Sequence, residues 1–224
     1  MGADGMHDAS ALMEGAGSMD VATIHSEILS VMERMVDTSE NPHVQRFRSG
    51  FEGVRNTWRD VGSGHLPTAA LLDSIRIDAG TLPGRLVALV SKHRKHLLWE
   101  QTYRKEDDVV GEDLLAGYGF SEVKGKRGPY VSERLRSGIG IWAPHVKYPL
   151  HWHDSEEIYW VLSGSARFQV GRDEPASLKK AGDVVFMPSA VPHAFWTARE
   201  PFVVFYLWQG GDLRQVSEFE SRIG

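Results

Sequence analysis

His151-Trp-His153, with Glu157 four residues further on and His193 supplied by a later segment, are four side chains able to hold a divalent ion. Three imidazoles and a carboxylate form an N/O donor set that leaves coordination positions open for a substrate. The chain has no cysteine, which excludes disulfides, thiol nucleophiles and thiolate metal sites. Zinc, iron(II), manganese, nickel and cobalt all accept such donors, so one divalent transition-metal ion is expected with its identity open. Around the quartet stand phenols. Tyr159 lies two residues past Glu157, on the same strand face, and Tyr148 lies three before His151. A phenol has a reference pKa of about 10, and a neighbouring dication favours its anion. Tyr159 is therefore the first candidate for a base and Tyr148 the second. The competing role for Tyr159 is a hydrogen bond that only orients Glu157. His7, His25, His43, His65, His93 and His96 stand apart from any ligand pattern and are expected as core or surface residues.

These side chains must be held by strands. After Gly111, short runs rich in β-branched and aromatic residues alternate with Gly/Pro turns: residues 138–142, 157–162, 166–170, 184–187 and 202–208. This spacing predicts an antiparallel sandwich or barrel, and a hairpin between the histidine and Glu157 segments would turn His151, His153, Glu157 and Tyr159 inward. In 202–208, alternation puts Phe202, Val204, Tyr206 and Trp208 on one face. If that face points inward, Tyr206 and Trp208 line the pocket and can cradle a cation; if not, Trp208 is an exterior packing residue. Trp152 and Trp160 alternate away from the ligands.

Before Gly111 the period is helical. Val21, Ile24, Ile28, Val31, Met32 and Met35 form one apolar stripe that Asn41-Pro42 ends. A second helix is expected through Val44, Phe47, Phe51, Val54 and Trp58, a third at Leu71, Leu72 and Ile75, and a fourth carrying Leu86, Val87, Val90, Leu97 and Leu98. The fold class is thus mainly β with a helical N-terminal part. Its divisions are a flexible tail over 1–18, a helical region over 19–115, and a metal-binding β-barrel over 116–224. The helices carry no catalytic motif; covering the barrel mouth or forming a homodimer contact are the two uses open to them. Lys92-His-Arg-Lys95 reads as a solvated helix face.

Composition bounds the partners. The chain is 42% hydrophobic and 25% charged, with a formal net charge of −5. Such a chain forms an ordinary core and has no electrostatic footprint for nucleic acid or an anionic membrane. No apolar run reaches the length of a membrane span, and the first residues lack a signal-peptide pattern, so a cytoplasmic protein acting on a small molecule is expected.

The order His151-x-His153-x-x-x-Glu157, then Gly164, followed by Gly182-Asp-Val-Val-Phe-Met-Pro188 and His193, resembles the two motifs of the cupin superfamily. Two positions depart from it: His145 stands where a glycine is usual, and Pro188-Ser-Ala190 replaces Pro-x-Gly. The resemblance implies a single small conical antiparallel β-barrel, or jelly roll, with an ion inside. With Tyr148, Tyr159 and Thr197 included, the pattern is similar to the bacterial cupin-type dimethylsulfoniopropionate (DMSP) lyases, most like their DddL branch. That implies cleavage of DMSP, or a related sulfonium or betaine carboxylate, to dimethyl sulfide and acrylate. His151, His153, Glu157 and His193 would be the metal shell, Tyr159 and Tyr148 the candidates for base, and Trp208 a pocket wall. Two other activities suit the same residues: a non-haem iron dioxygenase, and a non-catalytic cupin that binds a small ligand.

Overall fold

A computed structural model describes residues 20–53, 57–76, 78–107 and 110–220. The sequence-expected tail over 1–18 lies outside these residues, as do Val54 and His7.

The first helix, α1 (Val21–Asp37), buries the predicted stripe: Ile24, Ile28, Val31, Met32 and Met35. Asn41 ends the following turn by accepting a hydrogen bond from the His43 amide at 2.9 Å, and Pro42 opens the short helix α2 (Pro42–Gln45). The expected long second helix is instead α2 followed by a 3₁₀ turn over Arg48–Phe51, and Trp58 sits in an isolated β-bridge to Tyr130. Leu71 and Leu72 lie in a 3₁₀ segment, Pro67–Ser74, with Ile75 extended beyond it. The helix α3 (Leu82–His93) starts where Thr81 Oγ1 accepts the Gly84 amide at 3.1 Å. It stops earlier than its apolar pattern suggests. The Trp99 indole donates to the Arg94 carbonyl at 3.0 Å, capping the C-terminal end. Leu97 to Glu100 then run extended, with bridges from Leu98 to Gly64 and from Glu100 to Phe120.

A last short helix, α4 (Glu112–Gly117), leads into ten strands: β1 (Tyr118–Lys124), β2 (Leu135–Trp142), β3 (Lys147–Trp152), β4 (Glu156–Ser163), β5 (Ser165–Val170), β6 (Ser177–Lys180), β7 (Val184–Met187), β8 (His193–Thr197), β9 (Phe202–Gln209) and β10 (Glu218–Phe219). They form two antiparallel five-stranded sheets, ordered β1-β2-β9-β4-β7 and β10-β3-β8-β5-β6. All five predicted strands are present. β1 escaped the pattern reading because Gly119, Ser121, Glu122 and Lys124 interrupt its apolar residues, although the whole strand is buried.

Two apolar cores result. One lies between the sheets and gathers Tyr148, Tyr159, Phe168, Phe195, Phe202, Val204, Tyr206 and Trp208. The other packs α1 and α3 on the outer face of the first sheet, against Ile139, Ile141, Ile158, Val203, Phe205 and Leu207. The alternating residues of β9 are therefore divided between the cores, and its Phe202–Trp208 face points inward. The helices back this sheet, which is a third use beyond the two expected of them.

Candidate metal centre and aromatic chamber

His153, Glu157 and His193 are each about 1% exposed, and one ligand atom from each lies within 4.8 Å of the others. The local reason differs from the expected hairpin. β3 and β4 belong to opposite sheets, so the histidines descend from one wall and Glu157 rises from the other. On the histidine wall, His151 pairs across strands with His193, and Tyr148 pairs with Phe195. Three residues on β3 thus span two on β8, which is a bulge. Without it, Tyr148 and His151 would face opposite sides. With it, their rings stack at 4.1 Å between centroids.

Each histidine is oriented through Nδ1. His151 bonds the Pro149 carbonyl at 2.8 Å, His153 the Ser155 carbonyl at 2.8 Å, and His193 the Val191 carbonyl at 2.9 Å. A carbonyl only accepts, so Nδ1 carries the proton in all three rings and Nε2 is presented to the centre. His153 Nε2 lies 3.0 Å from Glu157 Oε2, and His193 Nε2 lies 3.6 Å from the same oxygen without any hydrogen bond. A bare imidazole nitrogen and a carboxylate oxygen do not attract at 3.0 Å unless a proton or a cation lies between them. The residues therefore fit a divalent ion. His151 flanks the group, with its ring centroid 4.2 Å from that of His193 and 6.3 Å from that of His153.

Burial alone would raise the Glu157 carboxyl, but the His153 and His193 imidazoles against it outweigh that and hold its pKa at about 2. Burial, and then the charge of His193, push His151 well below the ordinary histidine value, which keeps it in the neutral form metals bind. Trp208 fixes the other end of Glu157 by donating from Nε1 to Oε1, and its ring stacks on His153 at 4.0 Å.

A cavity of about 50 Å³ adjoins Glu157, several times the roughly 10–15 Å³ that one water occupies. Tyr148, Tyr159, Tyr206, Trp208 and Trp142 border it, together with three residues the sequence reading did not single out: Tyr103, Tyr118 and Arg136. Tyr103 comes from the segment joining the helices to the sheets, and its hydroxyl bonds that of Tyr148 at 2.7 Å. Nothing local in the sequence marks it, because its partner lies 45 positions away. Burial pushes the hydroxyls of Tyr148 and Tyr159 well above the ordinary phenol value, and the charges of Tyr103 and Glu157, respectively, add to this. Thr197 works at a distance: its hydroxyl donates to the Ala143 carbonyl and accepts from the Val146 amide, both at 2.8 Å, pinning the turn between β2 and β3.

The two departures from the cupin motif are also visible here. His145 has φ +62° and Ala190 has φ +58°, so both hold the left-handed backbone for which glycine is the default. The Ala190 amide donates to the His153 carbonyl at 2.9 Å, which ties that turn to the centre.

Comparison with known proteins follows this geometry. A family model described as dimethylsulfoniopropionate lyase matches residues 38–204. The dimethylsulfoniopropionate lyase DddQ of Ruegeria pomeroyi is 35% identical over 112 residues, covering 50% of this chain and 54% of its own. The DddL protein of Cereibacter sphaeroides is 31% identical over 120 residues, covering 53% and 48%. The chain thus spans about half the length of the curated relatives it matches, and the expected likeness to DddL stands beside one to DddQ. A crystal structure from a study of the lyases RdDddP and RnDddQII superposes with a TM-score of 0.79 at 26% identity, covering 90% of this chain and 100% of that one. The Ruegeria pomeroyi DddQ structure gives 0.75 at 25% identity, covering 90% and 98%. With the matched family model spanning well over half of its length, and the two-sheet cupin fold in common, the chain belongs to the dimethylsulfoniopropionate lyase family.

Proposed function

We propose that the protein cleaves dimethylsulfoniopropionate to dimethyl sulfide and acrylate by metal-assisted β-elimination. The observation that carries this reading is the buried His153–Glu157–His193 group opening onto a chamber walled by tyrosines. The substrate has a carboxylate at one end and a sulfonium at the other, and the C–S bond to be broken lies β to the carbon that loses a proton. Elimination therefore needs a base, a hold on the carboxylate, and a setting for the cation.

We assign His153, Glu157 and His193 to the ion, with His151 as the fourth ligand that the motif implies. When bound, the ion would supply Lewis-acid stabilisation of the substrate carboxylate and would favour a nearby phenolate. Tyr159 is the base we favour. It sits in the chamber beside Glu157, and burial keeps its hydroxyl protonated until a compensating positive charge arrives. Tyr148 is second, since the Tyr103 hydroxyl already engages it. Once its own proton has passed to solvent, the Tyr159 phenolate oxygen would take the α-proton, the C–H electron pair would form the C=C bond of acrylate, and dimethyl sulfide would leave with the electrons of the broken C–S bond. Trp208 orients both Glu157 and His153.

The test is headspace gas chromatography for dimethyl sulfide after mixing metal-quantified protein with DMSP, beside an EDTA-treated control. Metal-dependent release with matching acrylate is the expected outcome. No product from metallated protein would remove the reading, and a requirement for oxygen would replace it with the dioxygenase. Tyr159→Phe is expected to keep its metal and lose about 10²–10⁴-fold in rate, whereas His153→Ala should lose both. Near-full rates in Tyr159→Phe and Tyr148→Phe alike would end the tyrosine-base mechanism.

A further inference from the structure

Arg136 is the one lysine or arginine among the residues that border the chamber. Its Nε donates to Glu122 Oε2 at 2.9 Å. Glu122 is in turn fixed by the amides of Arg127 and Gly128, which donate to its Oε1 at 2.8 and 3.0 Å. One guanidinium N–H is thus committed to a rigid, buried acceptor, and the two terminal amino groups are not part of that bond. The guanidinium also lies 4.9 Å from the Trp208 ring and 5.4 Å from that of Phe120.

A second group sits beside it. The Tyr206 hydroxyl is buried against the Arg136 guanidinium and has no other hydrogen-bond partner. It overlies β2 because Gly138 leaves the space: a Cβ there would come within 2.7 Å of that oxygen. Gly138 and Tyr206 are cross-strand partners, as are Arg136 and Trp208. A guanidinium and a phenolic O–H, both donors, therefore meet at one end of the cavity.

This bears on which way a zwitterion lies. Trp208 already carries the Arg136 guanidinium and the His153 ring against it, so a second cation there would be repelled. Tyr103, Tyr148 and Trp142 border the chamber, and the cations that lie over aromatic rings among the described residues sit on other rings. The Trp142 indole N–H is unpartnered, but it is neutral and offers an anion less than Arg136 does.

We propose, resting on the lyase reading, that Arg136 and Tyr206 receive one oxygen of the substrate carboxylate, directing the sulfonium toward Tyr103, Tyr148 and Trp142. A carboxylate has a second oxygen, which stays available to the ion. The pocket then selects a molecule bearing an acid and an onium group, with the sulfonium cage opposite Trp208 instead of on it.

The test is equilibrium titration calorimetry on the metal-loaded protein with two half-substrates, acrylate and trimethylsulfonium. Arg136→Gln is expected to weaken acrylate at least tenfold and Tyr206→Phe several-fold, with trimethylsulfonium unchanged; Tyr206→Phe should melt close to the parent, whereas Arg136→Gln should melt lower because Glu122 loses its buried partner. If Arg136→Gln does not fold, Tyr206→Phe and Arg136→Lys decide the matter. Parent-like acrylate binding in the folded variants, equal loss of both ligands, or no acrylate binding by the parent would each overturn the assignment. Failure of the lyase reading looks different: the parent would discriminate acrylate through Arg136 yet release no dimethyl sulfide from DMSP.

Discussion

Ala190 and His145 pay a local conformational cost that their position demands. A non-glycine residue in the left-handed region is disfavoured by roughly 1–2 kcal/mol, whereas glycine adds roughly 0.4–1 kcal/mol of chain entropy to the unfolded state. For Ala190, at φ +58°, the first effect exceeds the second. Ala190→Gly should therefore stabilise the fold by up to about 1 kcal/mol, read as a higher urea midpoint at unchanged slope. Histidine tolerates this region better than alanine, so His145→Gly should gain less. The buried grouping of His153, Glu157 and His193 was legible from spacing because a candidate metal shell needs particular side chains. The partners that tune them were not. Tyr103, Tyr118 and Arg136 reach the chamber from distant strands and loops, and no short-range pattern encodes their meeting. Tyr103→Phe removes the hydroxyl that bonds Tyr148. If Tyr148 supports the reaction through that bond, the pH–rate profile should shift while metal content stays at the parent level.

At the scale of elements, strands with one buried face were easy to read, and β9 alternates between two cores as its sequence implies. Elements defined by tertiary partners were harder. Leu97 and Leu98 extend the apolar stripe of α3, but Gly64 and Phe120 draw the chain around them into β-bridges. Within α1, His25 is one of the histidines expected as core or surface residues, and it lies in the core. His25 is 2% exposed, and its Nδ1 has no hydrogen-bond partner. Burial, only partly offset by Asp60, lowers its pKa below the model-peptide value of 6.5. The unfolded chain then takes up a proton near pH 6.5 that the folded chain resists, so this residue's contribution is full above that pH and is lost as pH falls below it. His25→Leu should narrow the drop in melting temperature between pH 7 and pH 5, checked by calorimetry on metal-free protein. An unchanged drop would show that His25 does not carry this acid sensitivity.

For the molecule as a whole, the centre joins two sheets that share no strand pairing. An ion held by His153 and His193 from one and Glu157 from the other would act as a rivet across the core. Anything that binds only the folded state stabilises it by about 2.7 kcal/mol at a hundredfold excess over its dissociation constant. Adding zinc or manganese to EDTA-treated protein should therefore raise the melting temperature, and His193→Ala should abolish the increment. Among the described residues no helix is long and apolar enough to cross a membrane.

The bulge in β3 carries an implication for how such a chain can change over generations. It works as a frameshift in the alternation of side chains: residues before it and after it read out to the same side only because one position is skipped. Deleting any single residue between Tyr148 and His151 would restore regular alternation and turn Tyr148 out of the chamber, although every functional amino acid would still be present in the sequence. Inserted or deleted residues should therefore be far more damaging here than substitutions, and a library of length variants across 148–151 would expose that asymmetry directly.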